Sequence, residues 1–326
     1  MAADKTDVLM MEEMAPLTIE GIGKAFTLHK LWEAPDRDRL IGELAPRLRA
    51  IAAGGMLHDH VDADLMAKLP KLEIISSFGV GYDHVDAKWA GEHGIIVTNT
   101  PDVLNEEVAD TALGLLLCTA RELPQAERYL RAGKWVEGEY RLTASLRGRR
   151  AGIVGLGRIG KAIARRLEAF GLPVVYHGRN AQPDVPYRHY PDLVAMARDV
   201  DVMIVITPGG AATRHLINAK VLEALGPNGI FVNVSRGSVV DEDALIAALK
   251  GRKILAAGLD VYANEPNVPA ELLAMDNVVL LPHVGSGAAV TRDAMNQLVV
   301  DNLVAWAAGK KPLTPVPETP WPPKRT

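Results

Sequence analysis

The stretch AGIVGLGRIGKAIARRLEAFG, Ala151 to Gly171, decides the fold. An apolar run through Ile153 and Val154 turns at Gly155, Gly157 and Gly160. It continues with Ile159, Ile163, Leu167 and Phe170 at helical spacing. That is strand, tight turn, helix. In such a turn the first glycine permits the reversal and the second lets backbone approach a pyrophosphate. The third lets the helix pack close on the strand. The helix N-terminus then offers free N–H groups and the positive end of its dipole to the phosphates. A bare GxGxxG is often only a structural turn, but the strand before it and the helix after it favour a dinucleotide site.

Working outward, Pro173 to His177 (PVVYH) reads as the second strand of the unit. NAD sites usually carry an acid at the end of that strand to hold the ribose 2′-hydroxyl. Here the chain has His177, Gly178, Arg179 and Asn180 instead. A carboxylate repels a 2′-phosphate, whereas an Arg fork holds one. The expectation is therefore NADP(H), with Arg179 and Asn180 on the phosphate side. The competing reading makes Arg179 a solvated loop residue and leaves NADH usable.

At 326 residues the chain is long enough for two domains, and can bury about three quarters of its unfolded surface. Its 36 basic and 40 acidic residues give a formal charge of −4 without a basic stripe, which argues against nucleic acid. The single cysteine, Cys118, lies in an apolar run and fits a small core residue in a reducing, cytoplasmic setting. The acid-bearing N-terminus does not read as a secretory signal, and no apolar run is long enough for a membrane span.

Before Asn99 the chain reads as a separate small α/β unit. Strands are expected at Asp7–Met11, Phe26–Leu31, Arg49–Ala53 and Glu73–Phe78, with helices at Asp36–Leu44 and Ala63–Leu69. At Ser77–Asp86 (SFGVGYDHVD) a strand breaks at two glycines and enters a helix. The Val80 and Gly81 amides are expected to hold a substrate carboxylate; an ordinary strand-to-helix turn is the alternative. His58, Asp59, His60, Asp62 and Asp64 lack regular ligand spacing and read as a polar loop and helix cap, so no metal is expected.

Asn105 to Arg121 has early acids, an apolar middle and a basic end, the pattern of a buried helix opening the second domain. Glu122 to Leu146, with Trp135 and Tyr140, fits either an arm on a second subunit or a local helix and loop. Beyond it come apolar strands at Asp201–Thr207, Gly229–Val234, Ile254–Asp260 and Val278–Leu281. Near-continuous apolar strands imply a parallel sheet covered on both faces, with ligands at the strands' carboxyl ends.

Arg236, Glu265 and His283 fall just beyond three successive strands. Hydride transfer to a 2-oxo acid needs a cation on the carboxylate and carbonyl, an acid for the forming alkoxide, and a partner that orients the acid. Arg236, His283 and Glu265 fit those roles in that order, and a carboxylate beside histidine stabilises the imidazolium.

With these residues in place, the chain resembles the D-isomer-specific 2-hydroxyacid dehydrogenases. The resemblance rests on VGLGRIG, NVSRGSVVDEDAL, GLDVYANEP and LPHVGSGAAVTR, and on the spacing of the three polar residues. It implies two Rossmann-like, doubly wound parallel-sheet α/β domains of the formate/glycerate dehydrogenase type. The substrate domain would comprise residues 1–99 and 288–326, and the inserted NADP(H)-binding domain residues 100–287. It also implies a homodimer and a cleft that closes over substrate. Within the family, the YHGR strand end, the WVEGEYRLT segment and the GVGYDHVD loop resemble the glyoxylate/hydroxypyruvate reductase branch. By the same resemblance the cofactor contacts include Leu156, Arg158, Ile159, Thr207, Pro208, Thr213, Val234, Ser235, Arg236, Asp260, His283 and Gly285.

Pro208-Gly209-Gly210 departs from the family's bulkier residue after the proline, which removes a side chain from that contact. The Pro-rich tail, Pro312 to Thr326, with no further regulatory domain expected, speaks against the longer phosphoglycerate dehydrogenases; it is either an extended packed segment or disordered. Two other readings stay open. One is a reductase of larger 2-oxo acids such as phenylpyruvates, decided by pocket residues near Met56 and Leu57. The other is a nucleotide-sensing co-repressor that keeps the three polar residues.

Overall fold

The structure is a computed structural model that describes residues 5–54 and 60–323. Met56, Leu57, His58 and Asp59 lie outside the described residues. The chain divides into two compact units, one made of the residues up to Leu104 and from Ala288 on, the other of Asn105–Gly287.

The first unit alternates β1 (Asp7–Met10), α1 (Pro16–Ala25), β2 (Thr27–Lys30), α2 (Arg37–Leu44), β3 (Ala50–Ala53), α3 (Ala63–Ala67), β4 (Ile74–Ser77), α4 (Ala87–Glu92) and β5 (Ile96–Thr98). All five strands pair in parallel, in the order β2-β1-β3-β4-β5. The central strands β3 and β4 are buried at every position, as a parallel sheet covered on both faces requires. Asp36, Asp62 and Asp86 cap α2, α3 and α4 by accepting from Arg39, Leu65 and Trp89 amides. Asp62 is thus a helix cap, and among the described residues no group of three metal-ligating side chains occurs.

The second unit begins with α5 (Asn105–Arg121) and α6 (Leu123–Arg131). It then runs β6 (Ala151–Val154), α7 (Arg158–Ala169), β7 (Val174–His177), β8 (Arg188–Tyr190), α8 (Leu193–Asp199), β9 (Val202–Val205), α9 (Ala219–Leu225), β10 (Ile230–Asn233), α10 (Glu242–Lys250), β11 (Ala256–Leu259), α11 (Ala270–Leu273) and β12 (Val278–Leu280). Its parallel sheet has the order β12-β11-β10-β9-β6-β7-β8. The strand order reverses beside β6, which places the glycine turn at the switch point where doubly wound sheets bind ligands. Helix α5 lies close over β11: a Cβ on Gly258 would sit 2.6 Å from Thr119 Oγ1 and 2.7 Å from Leu115 Cγ. Gly258→Val would force the helix off the sheet, an overpacking that costs about 1–3 kcal/mol.

Helix α12 (Ala289–Ala307) returns the chain to the first unit and packs against α1. Thr18 donates to Asn296 across that contact at 2.7 Å, and a Cβ at Gly21 would press on Val300 at 2.9 Å. The described part of the Pro-rich tail packs against β5, first through a single bridge and then through a turn over residues 316–319. Pro315 bridges Thr98 antiparallel, and Val316 N donates to Val97 O at 2.9 Å.

Among the elements that the sequence reading did not place are α1, β5, β8 and α12. Helix α1 holds two glycines, and its stability comes from Thr18 and Ile22 buried against α12 rather than from propensity. Strands β5 and β8 are three residues each, and β8 (RHY) is a polar edge strand without apolar alternation.

Candidate active site

The turn after β6 is set by its three glycines. Gly155 takes φ +101°, in the left-handed region, and a Cβ there would meet Ile206 O at 2.9 Å. A Cβ at Gly160 would lie 2.2 Å from Gly155 O, so α7 approaches its strand as only glycine permits. Nothing lies within 4 Å of the Cβ position of Gly157, which leaves one face of the turn open. No side chain caps α7 and no acid stands in its first turn, whereas Asp192, Asn218 and Asp241 cap α8, α9 and α10. Exposed Arg158 and half-buried Ile159 begin that helix, and Leu156 is buried beneath the turn.

Backbone bonds bring the neighbouring strand ends level with this turn. Gly155 N donates to His177 O at 2.9 Å, Ile206 N to Val154 O at 2.9 Å and Val234 N to Val205 O at 3.2 Å. His177 turns Nδ1 to Tyr190 O at 2.8 Å, which fixes the end of β7 ahead of Gly178, Arg179 and Asn180. Arg179 and Asn180 are exposed. Gln182, which the sequence reading passed over, donates to Leu156 O at 2.8 Å and, through its amide, to the Tyr176 hydroxyl at 2.7 Å. It buckles the Arg179 loop to the glycine turn. After β9, Thr207 keeps its Oγ1 buried without a hydrogen-bond partner. A buried hydroxyl left unmatched is the kind of group a bound polar ligand satisfies. Thr213 Oγ1 instead closes its own turn on Pro208 O at 2.7 Å, around Gly209 and Gly210. The open face at Gly157, the uncapped α7 and the unmatched Thr207 hydroxyl together fit a dinucleotide.

At the other end of the same row stand the three polar residues. Buried Asn233 ends β10; its Oδ1 accepts from Ser235 N and Oγ, and its Nδ2 donates to Arg236 O at 3.1 Å. A Cβ on Gly237 would overlap Tyr262 O, so the Arg236 loop lies directly on the chain leaving β11. Glu265 accepts from Tyr262 N at 2.9 Å through Oε1 and from His283 Nδ1 at 2.7 Å through Oε2. Burial opposes the charge on Glu265, but the His283 bond, the Tyr262 amide and the field of Arg236 outweigh it and hold the carboxyl below its ordinary range. An ionised carboxylate only accepts, so Nδ1 carries the proton and Nε2 is the ring nitrogen facing away from Glu265.

His283 takes φ +52°, a left-handed backbone state that costs energy for a residue with a Cβ. Asp260 over-determines it. Its carbonyl accepts from His283 N at 2.9 Å, and its carboxylate accepts from Val284 N at 2.7 Å and Gly285 N at 2.8 Å. Burial pushes the Asp260 carboxyl up despite those two amides. A Cβ on Gly285 would press on that carboxylate at 2.9 Å. Tyr262, whose phenol burial also pushes up, sets its hydroxyl 2.8 Å from Leu281 O and braces β12. Asn233 and Tyr262 were missed because a polar residue at a strand end looks like any loop residue until its partners are known.

Val80 and Gly81 lie in the first unit, beyond β4. Gly79 takes φ +122° and exchanges bonds with Thr100: its amide donates to Thr100 Oγ1 at 2.9 Å, and Thr100 N donates to Gly79 O at 2.9 Å. Asn99 Nδ2 holds Val80 O at 2.8 Å. Among the described residues, the Val80 and Gly81 amides donate to no protein acceptor. The loop's carbonyls are thus fixed while two adjacent N–H groups remain available to an anion.

Comparison with known proteins identifies the family. Residues 113–285 match the family described as D-isomer specific 2-hydroxyacid dehydrogenase, NAD binding domain. The chain is 47% identical to a glyoxylate/hydroxypyruvate reductase of Arabidopsis thaliana, over 95% of this chain and 98% of that one. It is 45% identical to the hydroxyphenylpyruvate reductase of Plectranthus scutellarioides, over the same shares. Among solved structures, the NADPH-dependent glyoxylate/hydroxypyruvate reductase of Sinorhizobium meliloti, in complex with NADP and malonate, superposes with a TM-score of 0.92 at 51% identity. That match covers 97% of this chain and 98% of the other.

Proposed function

The chain belongs to the D-isomer-specific 2-hydroxyacid dehydrogenases, and on that premise we propose that it is an NADPH-dependent reductase of small 2-oxo acids, taking glyoxylate to glycolate and hydroxypyruvate to D-glycerate. The observation that carries the proposal is the His283–Glu265 pair beside Arg236, all at the carboxyl ends of adjacent strands. Bound NADPH supplies the hydride. Gly155, Gly157, Gly160 and the first turn of α7 hold its pyrophosphate, with Thr207, Val234, Ser235, Asp260 and Gly285 along the rest of the row. Arg179 and Asn180, exposed where NAD sites carry an acid, take the 2′-phosphate.

The residues divide the work by charge. Arg236 binds the substrate carboxylate and draws electron density toward the carbonyl oxygen. His283 gives its Nε2 proton to that oxygen as the alkoxide forms, and Glu265 stabilises the ring through Nδ1 and keeps it in the productive orientation. In the first unit, the Val80 and Gly81 amides offer two adjacent donors suited to a substrate carboxylate. The same residues run the reverse oxidation, with His283 as base.

The larger 2-oxo acids form the second reading, supported by the 45% identity to a hydroxyphenylpyruvate reductase. A homodimer and a cytoplasmic setting belong to the same proposal. The first is supported by Leu130, Trp135, Val136 and Leu142, which expose 56, 67, 93 and 99% of their surface on the segment from α6 onward. The second is supported by the single, free Cys118. Among the described residues no helix is long and apolar enough to cross a membrane.

His283→Ala tests the role assignment. Turnover should fall by about a thousandfold, as loss of a general acid does, while NADPH affinity stays within about twofold. Equal loss of both would contradict it.

A further inference from the structure

Beyond the residues of the proposed site, we infer that the C-terminal segment Thr314–Thr319 is a strap that positions the Gly79–Tyr82 loop, with Glu318 and Thr314 as its positioning residues. The inference rests on the reading that the Val80 and Gly81 amides hold the substrate carboxylate.

Two separate routes run from the tail to that loop. On one side Thr314 Oγ1 donates to Asn99 O at 2.6 Å, and Asn99 N donates back to Thr314 O at 3.3 Å. Asn99 is the residue whose side chain fixes Val80 O at 2.8 Å. Thr314 is itself gripped by Asn302 of α12, which donates to Thr314 Oγ1 at 2.9 Å and accepts from Thr314 N at 3.1 Å. On the other side the Tyr82 hydroxyl donates to Glu318 Oε2 at 3.0 Å, and Tyr82 O in turn accepts from Val85 N at 2.9 Å. The loop is therefore held at the Val80 carbonyl, on the peptide that carries the Gly81 amide, and at Tyr82, the residue that follows.

The strap between these points is anchored to β5. Thr319 Oγ1 accepts from Val97 N at 2.9 Å and donates to Val97 O at 3.1 Å, and Thr319 is buried. A Cβ on Gly91 would sit 2.2 Å from Glu318 O, so α4 admits the strap only because residue 91 is glycine. Anchoring at Thr319 and Gly91 fixes the backbone of Glu318 whether or not its carboxylate bonds Tyr82. The side-chain bond is thus not needed for tail packing, and its effect falls on the loop.

The test is steady-state kinetics on the full-length chain with glyoxylate and NADPH. Glu318→Ala and Thr314→Val should each raise KM for glyoxylate about fivefold, the worth of one ordinary hydrogen bond, with kcat and NADPH affinity within about twofold. Tyr82→Phe should match Glu318→Ala, and the double variant should be no worse than either. Glu318→Gln keeps an acceptor oxygen and should restore the wild-type KM. Unchanged KM in the Glu318→Ala and Thr314→Val enzymes overturns the strap, as does a kcat loss equal to the KM change. Asn99→Ala separates this from the underlying reading, because it frees Val80 O directly. If Asn99→Ala raises KM and the tail variants do not, the strap fails and the carboxylate loop stands. If Asn99→Ala leaves KM unchanged, the loop reading fails and the strap's function with it.

Discussion

Each unit ends one strand in a glycine turn that leads to a helix, and the two turns are held by opposite means. The turn after β6 braces itself. Gly160 rests on Gly155 O, five residues back, and Gly155 N reaches the adjacent strand. The loop after β4 is braced from afar, by Thr100 and Asn99 some twenty residues on and by Glu318 at a sequence separation of 236. A turn built from its own backbone writes itself into a short motif. One built from distant side chains leaves only two glycines as a local signature.

The sharpest way to break this comparison is Gly160→Ala. The added methyl would meet a backbone oxygen with no room to yield. Overpacking of about 3 kcal/mol at the turn should weaken NADPH binding by roughly a hundredfold. Fluorescence titration of NADPH checks this, and an unchanged affinity would show that the turn does not brace itself in this way.

Glu265→Gln comes next, and concerns the corner where bracing is again short-range. Turnover should fall by about a hundredfold as the ring loses its charged partner. The pH dependence has a definite sign. The folded Glu265 carboxyl lies below its ordinary range, so the interaction is present above the unfolded value and is lost as pH falls through the folded one. Wild-type kcat should therefore persist down to pH values below the usual carboxylate range, and the Gln variant should lack that acid limb. An identical acid limb in both enzymes would assign it to another group.

A smaller effect is expected at Arg179, which sits on the loop that Gln182 buckles to the turn. Arg179→Ala should cut the preference for NADPH over NADH by about tenfold, the worth of a charge-assisted bond. An unchanged coenzyme ratio would make Arg179 a bystander. The tail variants, at about fivefold, complete the series from the distant side of the comparison.

The same contrast explains what could be read without coordinates. The dinucleotide unit was legible because its signals are local: GLGRIG, the apolar strands, and Arg236, Glu265 and His283 each just past a strand. Helix α5 runs over Asn105–Arg121, the bounds its acids and closing Arg121 imply. Strand β8 was not legible, because a three-residue edge strand that buries only Tyr190 shows no apolar alternation. Nor was the role of Asn233, whose amide gains meaning only beside Arg236 O, or that of Glu318, which reads as one more acid in a Pro-rich tail. The left-handed backbone of His283 is likewise invisible in LPHVG, since it is imposed by Asp260 from a neighbouring strand.

The measurement that tests the account most directly is the initial rate of coenzyme oxidation with glyoxylate, hydroxypyruvate and phenylpyruvate, each with NADPH and with NADH. The account predicts the fastest turnover with the two small acids and NADPH. Faster turnover of phenylpyruvate, or equal rates with NADH, would contradict the substrate or the coenzyme assignment respectively, and no turnover with any pair would contradict the enzyme itself.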